Sequence, residues 1–476
     1  MTPSPKADNH SGYRMVSQMP ASDVESGVYV QTTGVDVNLT ADGAIYYTTD
    51  GSDPDIHSLR YEGPIHIDDT TVLRAVAVED GKLQSSIYTS TFVFEDRHTI
   101  PVVSLVTDPD NLWGKDGIYK STYDIKELKR PAHISYQGED GSFSLDCEIS
   151  MHGMTSILKQ DKKSFTVRFQ DSYDGPLNYD IFEDGEVTRF ASILLRADQE
   201  DVYSTYIRDN LFGNLAAEYC DTVLSMKNKY ISLYINGEYW GIYSIREHHS
   251  VEHYASHMEV PIDSVTMVKN FGTSGTPLFP VFNYCKNNDF SKQENYDHLK
   301  TLLDVTSFAD WTILEAYCGN FDINGNMRYY YDEVDKLWRC GLVDVDLGMF
   351  REQKDFGDML YTLHHSTYVS ALFENMEFQH LIAQRLAELL EGPLSDEAVH
   401  ARIDALAAQI RDELPLEKER WGGKVSRWER MVNDLHDFVN GRAEEMIHSI
   451  CRNTDFTAEE EAAYFGELLA QMAQKS

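Results

Sequence analysis

The chain has 476 residues, too many for one ordinary hydrophobic core and enough for roughly two to four folding units. Its 78 acidic side chains outnumber 41 basic ones and leave a net charge of -37. That field repels phosphate backbones and anionic lipid, and the sequence has no basic patch to offset it, so nucleic-acid and membrane-surface binding are excluded; no apolar run approaches the roughly 18 residues that span a bilayer.

Residues 1–23 (MTPSPKADNHSGYRMVSQMPASD) contain no apolar stretch of the kind a secretion signal needs, and their Ser, Pro, Asp and Asn content predicts a disordered segment. Residues 24–95 then read as a small all-β module. GVYVQTT, VDVNLT, AIYYTTD, TTVLRAVAVED and IYTSTFVF are short β-branched or aromatic runs, and Asp50-Gly51 and Asp53-Pro54 supply turns between them. The stretches Tyr47 to Pro54, Tyr61 to Ile67 and Leu73 to Ser85 resemble the β-sandwich at the C-terminal end of chitobiases and hexosaminidases. The resemblance implies a spacer with weak carbohydrate contact and no catalysis.

From 97 to about 245 the strand character continues through IPVVSLVT, AHISYQ, FSLDCEISMHG, KSFTVRF, FASILLRA and KYISLYING, with one helical pattern at 202–218. From 296 onward helices dominate: 296–303, 308–317, 369–390, 396–414, 426–451 and 457–473. The last opens on a capping box, Thr457 with Glu460 three residues on. Six cysteines (Cys147, Cys220, Cys285, Cys318, Cys340 and Cys451) lie far apart without a CxxC pair, which excludes a zinc ribbon or redox motif. They read as small buried side chains, with one or two disulfides left open.

Phosphoryl transfer needs a cation on the phosphates, a carboxylate beside the nucleophile and oxygen ligands for Mg²⁺. Strand alternation in KKSFTVRF puts Lys163 with Phe165, Val167 and Phe169 on the buried face, where a phosphate-pairing lysine must sit. Farther on, NFDINGNMRYYYDEVDKLWRCGLVDVDLG places Asp322 and Asn326 in a polar loop after a helix ending near Cys318. A hairpin follows, and the strand 338–343 delivers Asp344 and Asp346. Loop carboxylate, hairpin and strand-end carboxylate is the layout by which kinases place the base and the metal ligand. A literal Asp355-Phe356-Gly357 also occurs, but Arg351-Glu352-Gln353-Lys354 before it cannot form a buried strand, so Asp346-Leu347-Gly348 is the working triplet. Asp322, Asn324, Asn326 and Glu333 match four positions of a calcium loop. Met327 stands where that loop needs glycine, and Tyr329 to Tyr331 form a strand where its helix should begin.

With these residues in order, the chain resembles the CotH (spore coat protein H) kinase-like family, atypical protein-kinase-fold proteins of bacteria and some eukaryotes. Five segments carry the resemblance: MHGMTSILKQDKKSFTVRF, ILLRADQEDVYSTYIRDNL, YINGEYWGIYSIREHHSVEHY, NFDINGNM and WRCGLVDVDLGMF. It implies an α+β, two-lobed kinase-like domain over 96–455, β-rich to about 245 and helical after, followed by a C-terminal helix at 456–476. It further implies ATP with Mg²⁺ or Mn²⁺ as cofactors and phosphorylation of Ser or Thr on a protein substrate. Carried over by position, Lys163 pairs with phosphate, Asp322 is the catalytic carboxylate, Asp346 holds the metal, and Asn326 and Asp344 join it. Arg196, Arg208 and Asp209 order the phosphates or the lysine, and Glu247, after the strand 240–245, marks the crossing between lobes where backbone groups meet adenine. The family also suggests a secreted, cell-surface or spore-associated location. The chain departs from the family in having Met327 after Asn326 in place of a second asparagine, and in lacking a GxGxxG loop, to which Gly153-Met154-Thr155-Ser156 is nearest. Two other function classes stay open: a kinase fold that transfers AMP or glutamate, and a catalytically silent scaffold.

Overall fold

The computed structural model describes residues 15–30, 32–139, 141–169, 175–198, 201–269, 274–350 and 366–475. These form two compact units. The first holds the described residues up to Leu177 with Tyr230–Tyr243 and Pro415–Trp421; the second holds Asn178–Lys229, Ser244–Leu414 and the chain from Gly422 on.

The first unit opens with the β-module. Gly27–Val28, Tyr88–Val93, Thr71–Val78, Ala44–Thr48 and Leu59–Arg60 form a five-stranded sheet in that order, and Val35–Val37 pairs with Ile65–Ile67 in a second, smaller one. Val37, Leu39 and Ile67 pack with Ile45, Leu73, Ala75 and Phe92 into one core, so the sheets close on each other as a sandwich. Order starts earlier than the composition suggests. Ala21–Ser22 pairs with Leu39–Thr40, and the Ser17 hydroxyl donates to the Leu83 carbonyl at 2.8 Å, so backbone pairing overrides a polar composition in the described part of the N-terminal segment. The expected turn is present: Gly51 has φ +85°, and buried Arg74 donates to its carbonyl at 2.9 Å.

After the module, Val102–Val106 pairs antiparallel with Arg130–Gly138, which continues to Gly141–His152 and Ser164–Arg168; Val102 to Leu105 also pair in parallel with Ser232 to Ile235. Val93 shares a buried cluster with Val102 and Tyr234, and Thr91 and Ser104 hydroxyls meet at 2.7 Å. The sandwich is therefore packed onto these strands. Glu417, on the helix Leu414–Trp421, is fully buried, accepts the Ile242 amide at 2.7 Å and holds the Lys162 ammonium at 3.0 Å. Gly241 makes room for this pair: its φ is +115°, and a Cβ there would meet a Glu417 oxygen at 2.3 Å.

In the second unit, Ile193 to Arg196 pair antiparallel with Ser244 to Glu247, and a three-stranded sheet runs Val265–Lys269, Arg328–Asp332, Trp338–Gly341. The helix Val305–Cys318 is buried from Ser307 to its end and stops at Gly319, whose φ of 62° is the left-handed exit glycine tolerates. Helices follow at Thr367–Phe373, Met376–Glu391, Asp396–Arg411, Val425–Val439, Arg442–Arg452 and Ala458–Lys475. Two expected single helices are thus broken. Asn375 caps the second of one pair through the Glu377 amide at 2.9 Å, and Gly441 turns the other with φ 73°. The capping box forms, the Thr457 amide donating to Glu460 at 2.8 Å and the Glu460 amide to the Thr457 hydroxyl at 3.3 Å. All six cysteines are free, five of them buried. The chain is α+β, with an all-β N-terminal region and a helical C-terminal one. Among the described residues no helix is long and apolar enough to cross a membrane.

Gly241→Ala tests the local packing. The backbone conformation alone costs an alanine about 1–3 kcal/mol, and its methyl displaces a buried ion pair. Urea unfolding of the variant is expected to show at least that loss, and an unchanged midpoint would contradict the geometry.

Candidate functional site

The strand that delivers the two aspartates ends at Gly341, two residues before the sequence suggests. Asp344 then takes a left-handed turn, φ 61°, which an aspartate tolerates better than most residues. The turn brings both carboxylates to one cation: Arg196 Nη2 bonds Asp344 and lies 3.2 Å from Asp346 Oδ2. Arg196 stands at the end of the strand Ser192–Arg196 and is 5% exposed, while Asp346 is 2% exposed. Gly348 completes the triplet because a Cβ there would meet the Cys318 carbonyl at 2.9 Å and the Val345 carbonyl at 3.1 Å.

Behind this pair sits Asp209, in the first turn of the helix Arg208–Tyr219. One of its oxygens accepts the Val345 amide at 3.0 Å; the other lies 3.4 Å from Arg196 Nε and bonds Arg246. Arg246 in turn reaches Asp198, Asn210 and Ser244. Burial opposes the Asp209 charge, but Arg246 and Arg196 hold its carboxyl down at about 2. Asp346 goes the other way, since burial and the neighbouring Asp344 charge raise its pKa well above the carboxylate range against the pull of Arg196. Arg208 bonds Asp201 and lies over the Phe350 ring at 4.3 Å, just beyond the triplet.

Asp322 begins a short 3₁₀ turn, Ile323–Gly325, after the central helix. Loss of surrounding water, and after it the charge of Asp344, raise its pKa. Asn326 donates to the Asp322 carbonyl at 3.1 Å and to its carboxylate at 3.4 Å. The loop is fastened from below by residues the sequence did not single out. Asn320, fully buried, accepts the Asp322 amide at 3.1 Å and donates to the Glu315 carboxyl at 3.0 Å. Burial pushes Glu315 up to about 8, with the Asp209 charge adding to the rise and the Asn320 bond opposing it.

The remaining expected residues lie elsewhere. Lys163, in the first unit, precedes the strand Ser164–Arg168; it is 3% exposed and donates to the carbonyls of Ile157 at 2.7 Å and Gln160 at 2.6 Å and to the Ser121 hydroxyl at 3.2 Å. Its neighbour Lys162 is buried as well, on Glu417. Gly153, at φ 108°, leads from the strand Gly141–His152 into a five-residue helix, Thr155–Lys159. The strand expected to stop at Ile245 runs on to Glu247, and the Glu247 carboxylate is buried against the Lys227 amide, His253 and His257. Its amide donates to the Lys227 carbonyl at 3.2 Å, so that N–H is not free to meet adenine. Asp355 lies outside the described residues.

Asp209, Asp344 and Asp346 thus gather in the second unit around buried Arg196, while Asp322 and Asn326 bond each other on the loop after the helix Val305–Cys318. Such a group can exchange its arginine partner for a metal ion, position anionic oxygens and hold a proton at Asp322. The family model for CotH kinase protein matches residues 149–277 and 273–446, and that for the Chitobiase/beta-hexosaminidase C-terminal domain matches residues 24–91. No curated protein matches. A crystal structure of the Helicobacter pylori proinflammatory kinase CtkA is similar at 10% sequence identity and a TM-score of 0.30, covering 61% of this chain and 94% of that one.

The buried Glu315 carboxyl makes the site pH-dependent in a defined direction. The folded chain keeps a proton that the unfolded chain releases near 4.5, so this contribution to stability is complete below that pH and is lost as the pH rises to about 8. Glu315→Gln keeps an acceptor for Asn320 and removes the titration. Urea midpoints between about pH 5 and about pH 8 are expected to fall less for Glu315→Gln than for the wild type; equal falls would contradict the assignment.

Proposed function

This chain belongs to the CotH kinase protein family, and on that premise we propose that it transfers the γ-phosphoryl group of Mg²⁺-bound ATP to a serine or threonine of a protein substrate. The observation that carries the reading is the convergence of Asp344 and Asp346 on Arg196, with Asp322 near enough for its charge to be felt.

The donor set fits a hard divalent cation. Asp322, Asp344, Asp346 and Asn326 offer oxygen only, which suits Mg²⁺ or Mn²⁺ and not a soft metal. The raised pKa values of Asp322 and Asp346 also mark carboxylates short of positive charge. Bound there, the cation supplies neutralisation of phosphate charge. The chain's own groups do the rest. Asp346, Asp344 and Asn326 hold the cation, and Asp209 fixes the segment that carries Asp344 and Asp346 through the Val345 amide. Arg196, released from one carboxylate, turns its guanidinium to anionic oxygen, and Arg208 keeps Phe350 in place. Asp322 takes the proton from the attacking hydroxyl, a role its raised pKa favours. Of the two buried lysines in the first unit, Lys163 is the one whose ammonium can be withdrawn at less cost. Its three hydrogen bonds go to neutral oxygens, whereas withdrawing Lys162 would strand the buried Glu417 carboxylate. Glu247 takes no part in nucleotide binding, because its amide is already bonded to the Lys227 carbonyl.

Mass spectrometry of the full chain, and of proteins added to it, after incubation with ATP and Mg²⁺ distinguishes the chemistries. A gain of phosphate is expected, absent in EDTA; a gain of AMP, a glutamate adduct or no change would contradict the proposal. Asp346→Asn should lower phosphate incorporation on the order of 10²- to 10³-fold, at a melting temperature close to that of the wild type. Full activity in that variant would remove Asp346 from the site.

A further inference from the structure

A second cluster of ligating side chains lies in the second unit among residues that the phosphoryl-transfer reading leaves without a role. Ser250 caps the helix Val251–His257, its hydroxyl accepting the His253 amide at 3.2 Å. Four residues apart, His253 and His257 share one face of that helix, and their rings meet edge-on with centroids 4.7 Å apart. Both look onto Glu247 at the end of the strand Glu238–Glu247. Nε2 of His257 is 2.6 Å from Glu247 Oε1, and Nε2 of His253 is 3.2 Å from Oε2. The three ligand atoms lie within 4.8 Å of one another. The Lys227 amide, at 2.9 Å, fixes one carboxylate oxygen from behind, as the groups behind a metal site do.

An ion pair alone does not account for this arrangement. Glu247 is 1% exposed and His253 is 7% exposed, yet neither ring nitrogen of His253 makes a well-formed hydrogen bond. A third ring, His249, stands with its centroid 5.4 Å from His253, but its nitrogens are taken by the Tyr330 hydroxyl at 2.8 Å and the Leu342 carbonyl at 3.0 Å, so it is a neighbour and not a ligand. A divalent ion would give both imidazoles and the carboxylate one common partner. For a tetrahedral ion with bonds of about 2.0–2.1 Å, ligand atoms stand about 3.3 Å apart, a spacing that three atoms within 4.8 Å of one another reach by small side-chain shifts. Beside the cluster a small surface recess, lined by Phe190, Ser192, Ser250, Glu247 and His253, leaves space for a fourth ligand the size of a water.

We propose that Glu247, His253 and His257 bind a transition-metal ion, Zn²⁺ by ligand preference, at a site separate from the aspartate cluster. Two imidazoles and one carboxylate favour zinc over magnesium, which takes oxygen ligands in near-octahedral geometry.

The test uses the untagged full chain, stripped with a chelator and dialysed, with Zn²⁺ added and bound metal counted by plasma mass spectrometry. Co²⁺ in its place gives a visible spectrum that reports nitrogen ligands. One equivalent of Zn²⁺ is expected for the wild type and equally for Asp346→Asn, unaffected by excess Mg²⁺. His257→Ala, at the partly exposed end of the helix, should weaken binding at least tenfold, and so should the near-isosteric Glu247→Gln, which covers the case of a misfolded His257 variant. No Zn²⁺ in the wild type, equal binding by His257→Ala and Glu247→Gln, or loss of binding in Asp346→Asn would each overturn the proposal. Phosphate transfer is read separately, so the two readings fail independently.

Discussion

The candidate site depends on how one carboxylate, Asp209, is held. It sits between two buried guanidiniums, Arg196 and Arg246, and spends its remaining oxygen on the Val345 amide. That last bond matters most for chemistry, because Val345 lies between Asp344 and Asp346. A helix, two strands and the loop after the hairpin therefore meet at a single side chain. Breaking a buried charge network by removing one member typically costs about 3–5 kcal/mol, since the partners are left uncompensated. Position and stability are coupled here: the loop cannot drift without exposing arginines that have no water to turn to.

The same network explains how so many acids lie together. Arg196 carries the load: burial works against its charge, but Asp344, Asp209 and Asp346 outweigh burial and keep it protonated. It satisfies the two prospective metal ligands only in part, and Asp346 stays short of positive charge even so. A divalent ion entering the cluster would compete with the Arg196 bridge. The competition is local, because Arg246 and Asp198 still hold Asp209 from the far side. The Asn320 and Glu315 pair plays the matching part under Asp322, with a neutral carboxyl doing by hydrogen bonding what a second charge would do at greater cost.

Much of this was legible in the sequence where the cause is local. The β-runs, the Asp50-Gly51 turn and the Thr457 to Glu460 box follow from residue types at short spacing, and the structure has them. The helix ending at Cys318 and the hairpin after Asp322 were placed within a few residues. Legibility fails where the cause is distant. Lys162 and Glu417 are 255 positions apart, and Arg196 and Asp344 are 148 apart, so no pattern along the chain announces either pair. Strand alternation failed for a different reason. It sorts residues only when one face meets water, and Ser164 to Val167 are buried on both faces, so Lys162 and Lys163 are both inside. Glu247 was legible as a position of note, but its partners sit on a seven-residue helix too short for its periodicity to stand out.

The central claim is that the aspartate cluster accepts a divalent cation with nucleotide, displacing part of the Arg196 bridge. Anomalous diffraction from crystals grown with Mn²⁺ and a non-hydrolysable ATP analogue tests it directly. The account predicts a manganese peak bonded to Asp346 and at least one of Asp322, Asn326 and Asp344, with phosphate oxygens completing the shell and Asp209 still on the Val345 amide. A nucleotide bound elsewhere, or the Arg196 bridge intact with no metal beside Asp346, would contradict it.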